Sequence, residues 1–401
     1  MSEKAILAYS GGLDTSVAIK WIKEKYNLDV IAVSIDIGNV ADLEGIRQKA
    51  LKLGAIKSLV IDAKETFINS FVFPSLKADA LYERQYPLHT PLGRPLIAQL
   101  LVNEAKKEGI SIIAHGCTGK GNDQVRLDVS ITALAPDFKI VAPAREWHMT
   151  REETINYAQK NNIPIPITID NPYSIDENLW GRAIECGILE NPWNEPPGDA
   201  FAWTKEIENT PEKASYIDIG FEKGIPISVN NETMDGISLI QKINQVAGEN
   251  GVGRIDHIED RLIGIKSREV YEAPAAVVLL QAHQALECLV LTKEQLRFKA
   301  RVADEYADLV YNALWFSGLR QDLDAYIQSS QRYVSGIIRV KLHKGCCQIV
   351  GRKSPYSLYN YNLATYDKGD IFDQSAAPGF IHIWGLPVKI QSQSQSLFDN
   401  K

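Results

Sequence analysis

A pair of glycines between an apolar run and a helical pattern, in LAYSGGLDTS at residues 7–16, constrains the fold more than any other feature. The residues before the glycines are typical of a buried strand. From Thr15 to Tyr26, apolar residues recur at the spacing of one helix face. Glycines let backbone N–H groups approach an anion without a Cβ in the way, and the helix start adds unbonded N–H groups. The pattern therefore predicts the first strand, phosphate loop and helix of an α/β domain.

The loop lacks the lysine that ATPase phosphate loops carry, and Asp14 lies where that cation would be expected. The nearest approach to the pattern GxxxxGK[ST] is AHGCTGKGN, in which Ala114 replaces the first glycine and Gly121 follows Lys120. Transfer of a γ-phosphate in the manner of those ATPases is therefore not supported. The plain alternative is an ordinary strand–turn–helix joint with Asp14 as the helix cap, and the complete string SGGLDTS disfavours it.

Strand patterns and helix patterns alternate through the first 165 residues. Strands are predicted for the strings KAILAYS, DVIAVSIDIG, IKSLVID, SIIAHG and KIVAPA. Further helices are predicted near residues 41–53, 65–80, 95–108 and 123–134, and after the capping box Thr150–Glu153. This alternation predicts a doubly wound parallel sheet with helices on both faces. Ligands of such sheets bind beyond the carboxyl ends of the strands, where we expect the loops Ser10–Asp14, Asp36–Gly38 and Gly116–Asp123.

The chain changes character after about residue 165, where IPIPITIDNPYS and NPWNEPPGDAF are rich in proline and turn residues. Helices are predicted near residues 234–249 and 273–315, the second with a break near Thr292, and a hairpin is predicted to turn at Lys344-Gly345. We therefore expect a doubly wound nucleotide-binding domain at residues 1–165, a larger α+β domain at 166–365 and a C-terminal tail at 366–401.

Composition excludes several classes of function. The net charge of −7 argues against broad binding to a nucleic-acid backbone, although a small anionic ligand needs only a local site. The five cysteines are odd in number and form no C-x-x-C pair, which favours reduced thiols in the cytoplasm. The first residues are too short an apolar run for a signal peptide, and the apolar stretch 273–291 is interrupted by polar residues, which favours a buried helix over a membrane span.

The string S-G-G-x-D-[ST]-S resembles the signature of the N-type ATP pyrophosphatases, whose loop holds the pyrophosphate part of ATP. Longer strings are similar to one family of that group, argininosuccinate synthase, and they follow its order from about residue 5 to 360. These strings are LAYSGGLDTS, ALYERQYPLHTPLGRP, HGCTGKGNDQVR, IPIPITIDNPYSIDENLWGR, GILENP, GVGRIDHIEDRLIGIKSREVYEAP and GRKSPYSLY.

The resemblance implies the reaction. The ureido oxygen of citrulline attacks the α-phosphorus of ATP, which gives citrullyl-AMP and pyrophosphate, and the amine of aspartate then displaces AMP to form argininosuccinate. It implies the cofactor ATP, the small-molecule partners citrulline and aspartate, and a homotetramer. Mg²⁺ is expected as a second cofactor on the grounds given below, and charge and hydropathy predict no nucleic-acid or membrane partner. Residues 166–365 would then be the synthetase and multimerisation domain, and 366–401 an oligomerisation arm.

The resemblance also implies which residues bind ATP. The loop at Gly11 and Gly12 can stabilise the negative charge that develops on a leaving pyrophosphate. The guanidinium group of Arg94 can neutralise the negative charge that develops at the α-phosphate. Asp14 beside a polyphosphate needs an intervening cation, so we expect Mg²⁺ there. The implied ATP-binding residues are Ala8, Tyr9, Ser10, Gly11, Gly12, Leu13, Asp14, Thr15, Ser16, Ile35 and Gly116.

The substrate residues follow from the same resemblance. Those implied for aspartate are Thr118, Asn122 and Asp123, and those for citrulline are Tyr86, Asn122, Arg126, Ser174, Glu259 and Tyr271. The catalytic residues are expected to be Asp14, Arg94 and Asp123. A carboxylate for an α-ammonium group, with hydroxyls beside it, is what an amino-acid pocket needs. Taken alone, Ser174, Glu259 and Tyr271 each have an ordinary interpretation as a surface or cap residue. For the loop 115–123, the polar and glycine residues disfavour the ordinary interpretation as a glycine-rich helix cap.

Four further positions need comment. Many family members carry serine where this chain has Pro91 and Ala183, and both serines serve citrulline, so two hydroxyl contacts are lost here. His115 is expected to be structural, since a lone histidine at a strand end usually packs. Cys117 is expected to fill space, because no base lies beside it in the sequence.

Two rival functions remain open at this point. Another adenylate-forming ligase of the same group could use a related acceptor, although tRNA-thiolating members usually need a basic face or paired cysteines. A nucleotide-binding regulator could keep the loop and lose the substrate pocket. Pro91 and Ala183 favour that interpretation. The residues that oppose it are Asn122, Asp123, Arg126 and Glu259.

Overall fold

The computed structural model describes residues 3–38, 42–164 and 173–399. The chain divides into two compact units, Met1–Tyr356 and Ser357–Lys401. The strands are β1 Lys4–Ala8, β2 Asp29–Asp36, β3 Lys57–Asp62, β4 Ile112–Ala114, β5 Lys139–Val141, β6 Ser174–Asn178, β7 Gly181–Glu185, β8 Ser215–Glu222, β9 Ile225–Val229, β10 Glu232–Thr233, β11 Arg254–Asp260, β12 Lys266–Glu272, β13 Gly336–His343 and β14 Cys346–Lys353.

The α-helices alternate with strands in the first half and dominate the second half. They are α1 Leu13–Tyr26, α2 Leu43–Lys52, α3 Lys64–Phe67, α4 Phe73–Lys77, α5 His89–Glu108, α6 Asn122–Leu134, α7 Pro143–Glu146, α8 Arg151–Lys160, α9 Gly236–Glu249, α10 Pro274–Val290, α11 Lys293–Tyr311, α12 Gly318–Ser330, α13 Tyr361–Ala364 and α14 Ala377–Asp399. A π-helical turn at Ile68–Val72 joins α3 to α4, so the helix predicted at 65–80 is interrupted.

The first sheet is parallel and has the strand order β3-β2-β1-β4-β5. Ile6 of β1 pairs with Ile31 of β2 on one side and with Ile113 of β4 on the other. The chain moves outward from β1 to β3 and then returns to β4. Right-handed crossovers therefore place α1 and α2 on one face and α5 and α6 on the opposite face. The predicted doubly wound sheet is confirmed, and the carboxyl ends of β1 and β4 form its topological switch point.

Helix α5 begins at His89, six residues before the start predicted at Pro95. Leu88 precedes it with a left-handed backbone (φ 64°), and the side chain of Asn178 donates to the His89 carbonyl at 2.8 Å. Pro95 therefore lies inside the helix. Its unfavourable propensity is overridden because Leu92 and Leu96 are buried against the sheet.

Two antiparallel sheets follow, with strand orders β10-β9-β8-β13-β14 and β11-β12-β7-β6. The hairpin β13–β14 turns at Lys344 and Gly345, which both have positive φ, as the sequence predicted. The predicted break near Thr292 is the capping box that starts α11. The sheet β11-β12-β7-β6 carries the functional side chains described below.

The second unit, Ser357–Lys401, ends in α14, whose large apolar side chains are exposed, among them Phe380 and Trp384. The division of the chain into three domains at residues 165 and 365 stays a prediction. Among the described residues, the search for helices long and apolar enough to cross a membrane finds none.

Candidate active site

A cavity of about 440 Å³ lies beyond the carboxyl ends of β1 and β4 and extends to the sheet β11-β12-β7-β6. One end is formed by Ser10 and Asp14 from the loop after β1. The middle is formed by residues 116–126, and the far end by Glu259 and Tyr271. The switch point therefore opens onto a second wall of polar side chains.

The loop after β1 presents the start of α1 without a side-chain cap. Gly12 is the N-cap residue, and Gly11 has a φ of 78°, a conformation that favours glycine. The Ser10 and Thr15 hydroxyls lie 3.1 Å apart beside the loop, and the Ser16 hydroxyl donates to the Gly11 carbonyl at 3.4 Å. The uncapped helix start supplies N–H donors and positive dipole to an anion.

The loop after β4 packs against the first loop at Gly116. A Cβ at Gly116 would lie 2.9 Å from Cγ2 and 3.3 Å from the backbone nitrogen of Thr15, so only glycine fits without a shift. His115 accepts from the Cys117 N–H at Nδ1 and pairs through Nε2 with Asp128 at 2.7 Å, which supports its structural role. Burial raises the pKa of Cys117 to about 12, so it is a neutral thiol at pH 7.

Asp123, at the start of α6, lies between two arginines. Its carboxylate accepts from Arg94 at 2.7 Å and from Arg126 at 3.0 Å. Burial disfavours the charged carboxyl, but the two guanidinium groups outweigh burial and lower the pKa of Asp123. Arg94 also donates to Asp176 at 2.6 Å, so its guanidinium lies behind two cavity carboxylates.

Glu259, on β11, is held by two tyrosine hydroxyls. Tyr271 donates to it at 2.6 Å and Tyr311 at 2.5 Å, and Glu259 is 3% exposed. Burial raises the pKa of Glu259 to about 7, against the opposing effect of the two hydroxyls. Tyr311 also accepts from the Asn122 side chain at 2.9 Å, and the Arg126 guanidinium lies over its ring at 4.8 Å.

Negative charge predominates in the part of the cavity wall that the structure describes. Carboxylates outnumber guanidinium groups there by six to two, the two cations being Arg126 and Arg261. Arg126 is 4% exposed, and its Nη2 has no hydrogen-bond partner among the described residues. The wall therefore suits ligands that carry ammonium groups or divalent cations, together with one carboxylate to pair with Arg126.

The structure brings most of the predicted residues to this one cavity. Those on its wall are Ser10, Asp14, Tyr86, Gly116, Thr118, Asn122, Asp123, Arg126, Ser174, Glu259 and Tyr271. Gly11, Gly12, Leu13, Thr15 and Ser16 form the loop and first helical turn beside it. Tyr9 is buried with its N–H and C=O bonded to Val33 and Ser34, and Ile35 is buried at the end of β2. Their contact with ATP stays a prediction, as does the role of Ala8.

Several cavity residues were missed by the sequence analysis. They are Thr90, Asp176, Glu185, Arg261 and Glu269, with Tyr311 directly behind the wall. Asp176 could have been found, because the short hairpin β6–β7 pairs it with Ala183, a position already expected to face citrulline. Tyr311 lies at the end of a helix, and no sequence motif around it indicates a binding site.

The two departures from the family pattern occupy different places. Ala183 lies on the cavity wall, so a hydroxyl is absent there, between its cross-strand partners Asp176 and Tyr271. Pro91 is buried in the first turn of α5, next to Thr90, whose hydroxyl donates to Asp176 at 2.8 Å. Thr90 therefore supplies a hydroxyl one residue before the position at which the serine is missing.

Comparison with known proteins gives a consistent result along the chain. A family model described as the arginosuccinate synthase N-terminal HUP domain matches residues 4–164, and the model of the C-terminal domain of the same family matches residues 173–391. The chain is 60% identical over 401 residues to an argininosuccinate synthase of Dehalococcoides mccartyi, covering 100% of this chain and 99% of that protein. It is 56% identical to that of Brevibacillus brevis, with coverage of 100% and 96%.

Proposed function

The chain belongs to the argininosuccinate synthase family, and we propose that its cavity joins citrulline to aspartate with cleavage of ATP. The reaction is a ligation through citrullyl-AMP, with release of pyrophosphate and AMP, in arginine biosynthesis. One observation carries the proposal: Ser10 and Asp14 of the loop after β1 lie on the wall of the same cavity as Glu259 and Tyr271. The adenylation chemistry and the amino-acid pocket therefore share one cavity.

The loop end binds ATP. The N–H groups at the start of α1 and the hydroxyls of Ser10 and Thr15 hold the β- and γ-phosphates, which become the leaving pyrophosphate. Gly116 keeps the second loop against the first, because any larger residue would collide with Thr15. The α-phosphorus then faces the middle of the cavity, where attack by the ureido oxygen forms the new P–O bond and breaks the bond to pyrophosphate.

The far end binds citrulline. The Glu259 carboxylate accepts from the α-ammonium group. The Nη2 of Arg126, which has no partner in the described part of the chain, donates to an oxygen of the ligand. Tyr86 stacks on Tyr271 with ring centroids 4.2 Å apart, which closes this end with a rigid aromatic wall. Citrulline that is held at this end by its charged groups presents its ureido group towards the loop after β1.

Aspartate binds in the middle of the cavity, between the two other reactants. Asp123 accepts its ammonium group, and Thr118 and Asn122 contact its carboxylates. Arg94 is a positioning residue in this account, since it holds Asp123 and Asp176 from behind. Deprotonated aspartate amine can then attack the ureido carbon of citrullyl-AMP, with AMP as the leaving group.

We propose that Mg²⁺ binds between the phosphates and Asp14. The excess of carboxylates on the wall supports a divalent cation, whose charge would offset repulsion between Asp14 and the polyphosphate. We expect Asp14→Asn to raise the Mg²⁺ concentration for half-maximal velocity by about tenfold or more. Titration of Mg²⁺ at saturating ATP measures this concentration, and an unchanged Mg²⁺ dependence would contradict the proposal.

We also propose that the chain works as a cytoplasmic homotetramer. The exposed apolar side chains of α14, such as Phe380, Ile383 and Trp384, support association, because so much apolar surface on one helix is costly in water. Sedimentation of the full-length chain tests the subunit number, and a monomer at micromolar concentration would contradict it.

A further inference from the structure

We propose that Lys49, on α2, is a positioning residue of the pyrophosphate loop and supplies from another helix the cation that the loop itself lacks. Its Nζ donates to the carbonyl oxygen of Gly11 at 2.6 Å. No local motif links the two positions, which are 38 residues apart in sequence. The inference rests on the proposed role of this loop in holding the leaving pyrophosphate.

The Gly11 carbonyl is the group that must be turned away from an anion. A carbonyl oxygen carries partial negative charge, so one that faced the phosphates would repel them. In a trans peptide, the C=O of one residue and the N–H of the next point in opposite directions. Lys49 and Ser16 both donate to the Gly11 oxygen. The Gly12 N–H, on the opposite side of the same peptide, therefore points away from Lys49.

The direction of the Gly12 N–H agrees with this reasoning. It makes a long contact of 3.4 Å with the hydroxyl of Ser10, which lies on the cavity wall. A bond of that length is weak, so a phosphate oxygen can replace it. Lys49 therefore orients a donor towards the anion that it does not itself touch.

Helix α2 is packed so that Lys49 can act on the loop. Ile46, one turn earlier, lies 3.1 Å from the position of a Cβ on Gly11, so one face of α2 covers the loop. Lys49 is half-buried, and this burial lowers the pKa of its ammonium group from that of a free lysine. In this partly desolvated position its charge is screened less by water than that of a surface lysine, which favours an anion nearby.

Binding of inorganic pyrophosphate to the full-length chain tests the inference. We expect Lys49→Met to raise the Kd for pyrophosphate about tenfold or more and to raise KM for ATP similarly, since one charge-assisted bond is lost. The KM values for citrulline and aspartate should change less than about twofold, because their pocket lies elsewhere. Lys49→Arg, which keeps charge and donor, should retain more pyrophosphate affinity than Lys49→Met.

A matched control lies on the same helix. Lys52 is exposed, and Lys52→Met should leave the Kd for pyrophosphate unchanged. If Lys49→Met binds pyrophosphate as the unaltered chain does, the inference is wrong and the role of the loop stands. If Lys49→Met raises all three KM values equally, the residue is merely structural and the inference is also wrong. If the unaltered chain binds no pyrophosphate, the proposed role of the loop fails, and the inference fails with it.

Discussion

Asp123→Asn is expected to lower kcat/KM for aspartate by about 10²–10³-fold. The substitution keeps the shape of the side chain but removes the charge proposed to accept the ammonium group of aspartate. It also leaves Arg94 and Arg126 without the carboxylate that now accepts from both. The lost charge-assisted bond to the ammonium group is worth about 1.5–3 kcal/mol, displacement of the two arginines adds to this loss, and each 1.4 kcal/mol is about tenfold in kcat/KM.

Steady-state kinetics with aspartate as the varied substrate measures this loss. Asp137→Asn is the matched control, because Asp137 is exposed just after the same helix and should not affect kcat/KM. A value for Asp123→Asn within about threefold of the unaltered enzyme would show that Asp123 neither binds aspartate nor organises the arginines.

Glu272→Ala is expected to lower the free energy of unfolding by about 3–5 kcal/mol. Glu272 is 0% exposed and lies next to Tyr271 on β12. Its carboxylate accepts from Arg182 at 2.8 Å and from the hydroxyl of Thr204 at 2.8 Å. It also accepts from the backbone N–H groups of residues 202, 203 and 204 at 2.8–2.9 Å. Alanine would leave the buried guanidinium of Arg182, and the buried N–H and hydroxyl of Thr204, without this acceptor.

Denaturant unfolding of the full-length chain measures the change. Glu208→Ala removes a carboxylate of the same type from an exposed site and should change the free energy by less than about 0.5 kcal/mol. Equal effects of the two substitutions would contradict the importance of the buried network. We expect no loss of similar size from any single exposed carboxylate.

The structure separates what local sequence patterns predict from what they do not. The two glycine loops of the switch point were predicted because each lies between one strand and one helix, within about ten residues. The hairpin at Lys344-Gly345 and the capping box that begins at Thr150 were predicted for the same reason. In each case the information lies within a short stretch of chain.

Other features depend on contacts between distant segments. Lys49 reaches Gly11 from the next helix, and Tyr311 reaches Glu259 from the end of α11. Neither residue has a pattern around it that indicates a ligand. The early start of α5 depends on the bond from Asn178, which follows it by 89 residues. Tertiary contacts decide such features, so they become visible only once the chain is folded.

Glu259 is the residue whose titration tests the shared cavity most directly. Its pKa is about 7, and only the carboxylate form can accept an ammonium group. The groups that act on it are Tyr271 and Glu269 from β12, Tyr311 from α11 and Arg126 from α6. About one-tenth of Glu259 is ionised at pH 6 and about nine-tenths at pH 8. Citrulline should therefore bind more tightly as the pH rises through 7, with a plateau above pH 8.

The decisive measurement is the exchange of labelled pyrophosphate into ATP with citrulline present and aspartate absent, at pH 6 and pH 8. If citrulline is adenylated in this cavity, the exchange requires citrulline. The KM for citrulline in this exchange should be about tenfold lower at pH 8 than at pH 6. In the Glu259→Gln variant, the rate of exchange should be lower, and the KM for citrulline should be the same at both pH values. Exchange without citrulline, or the same pH dependence in both proteins, would contradict the account.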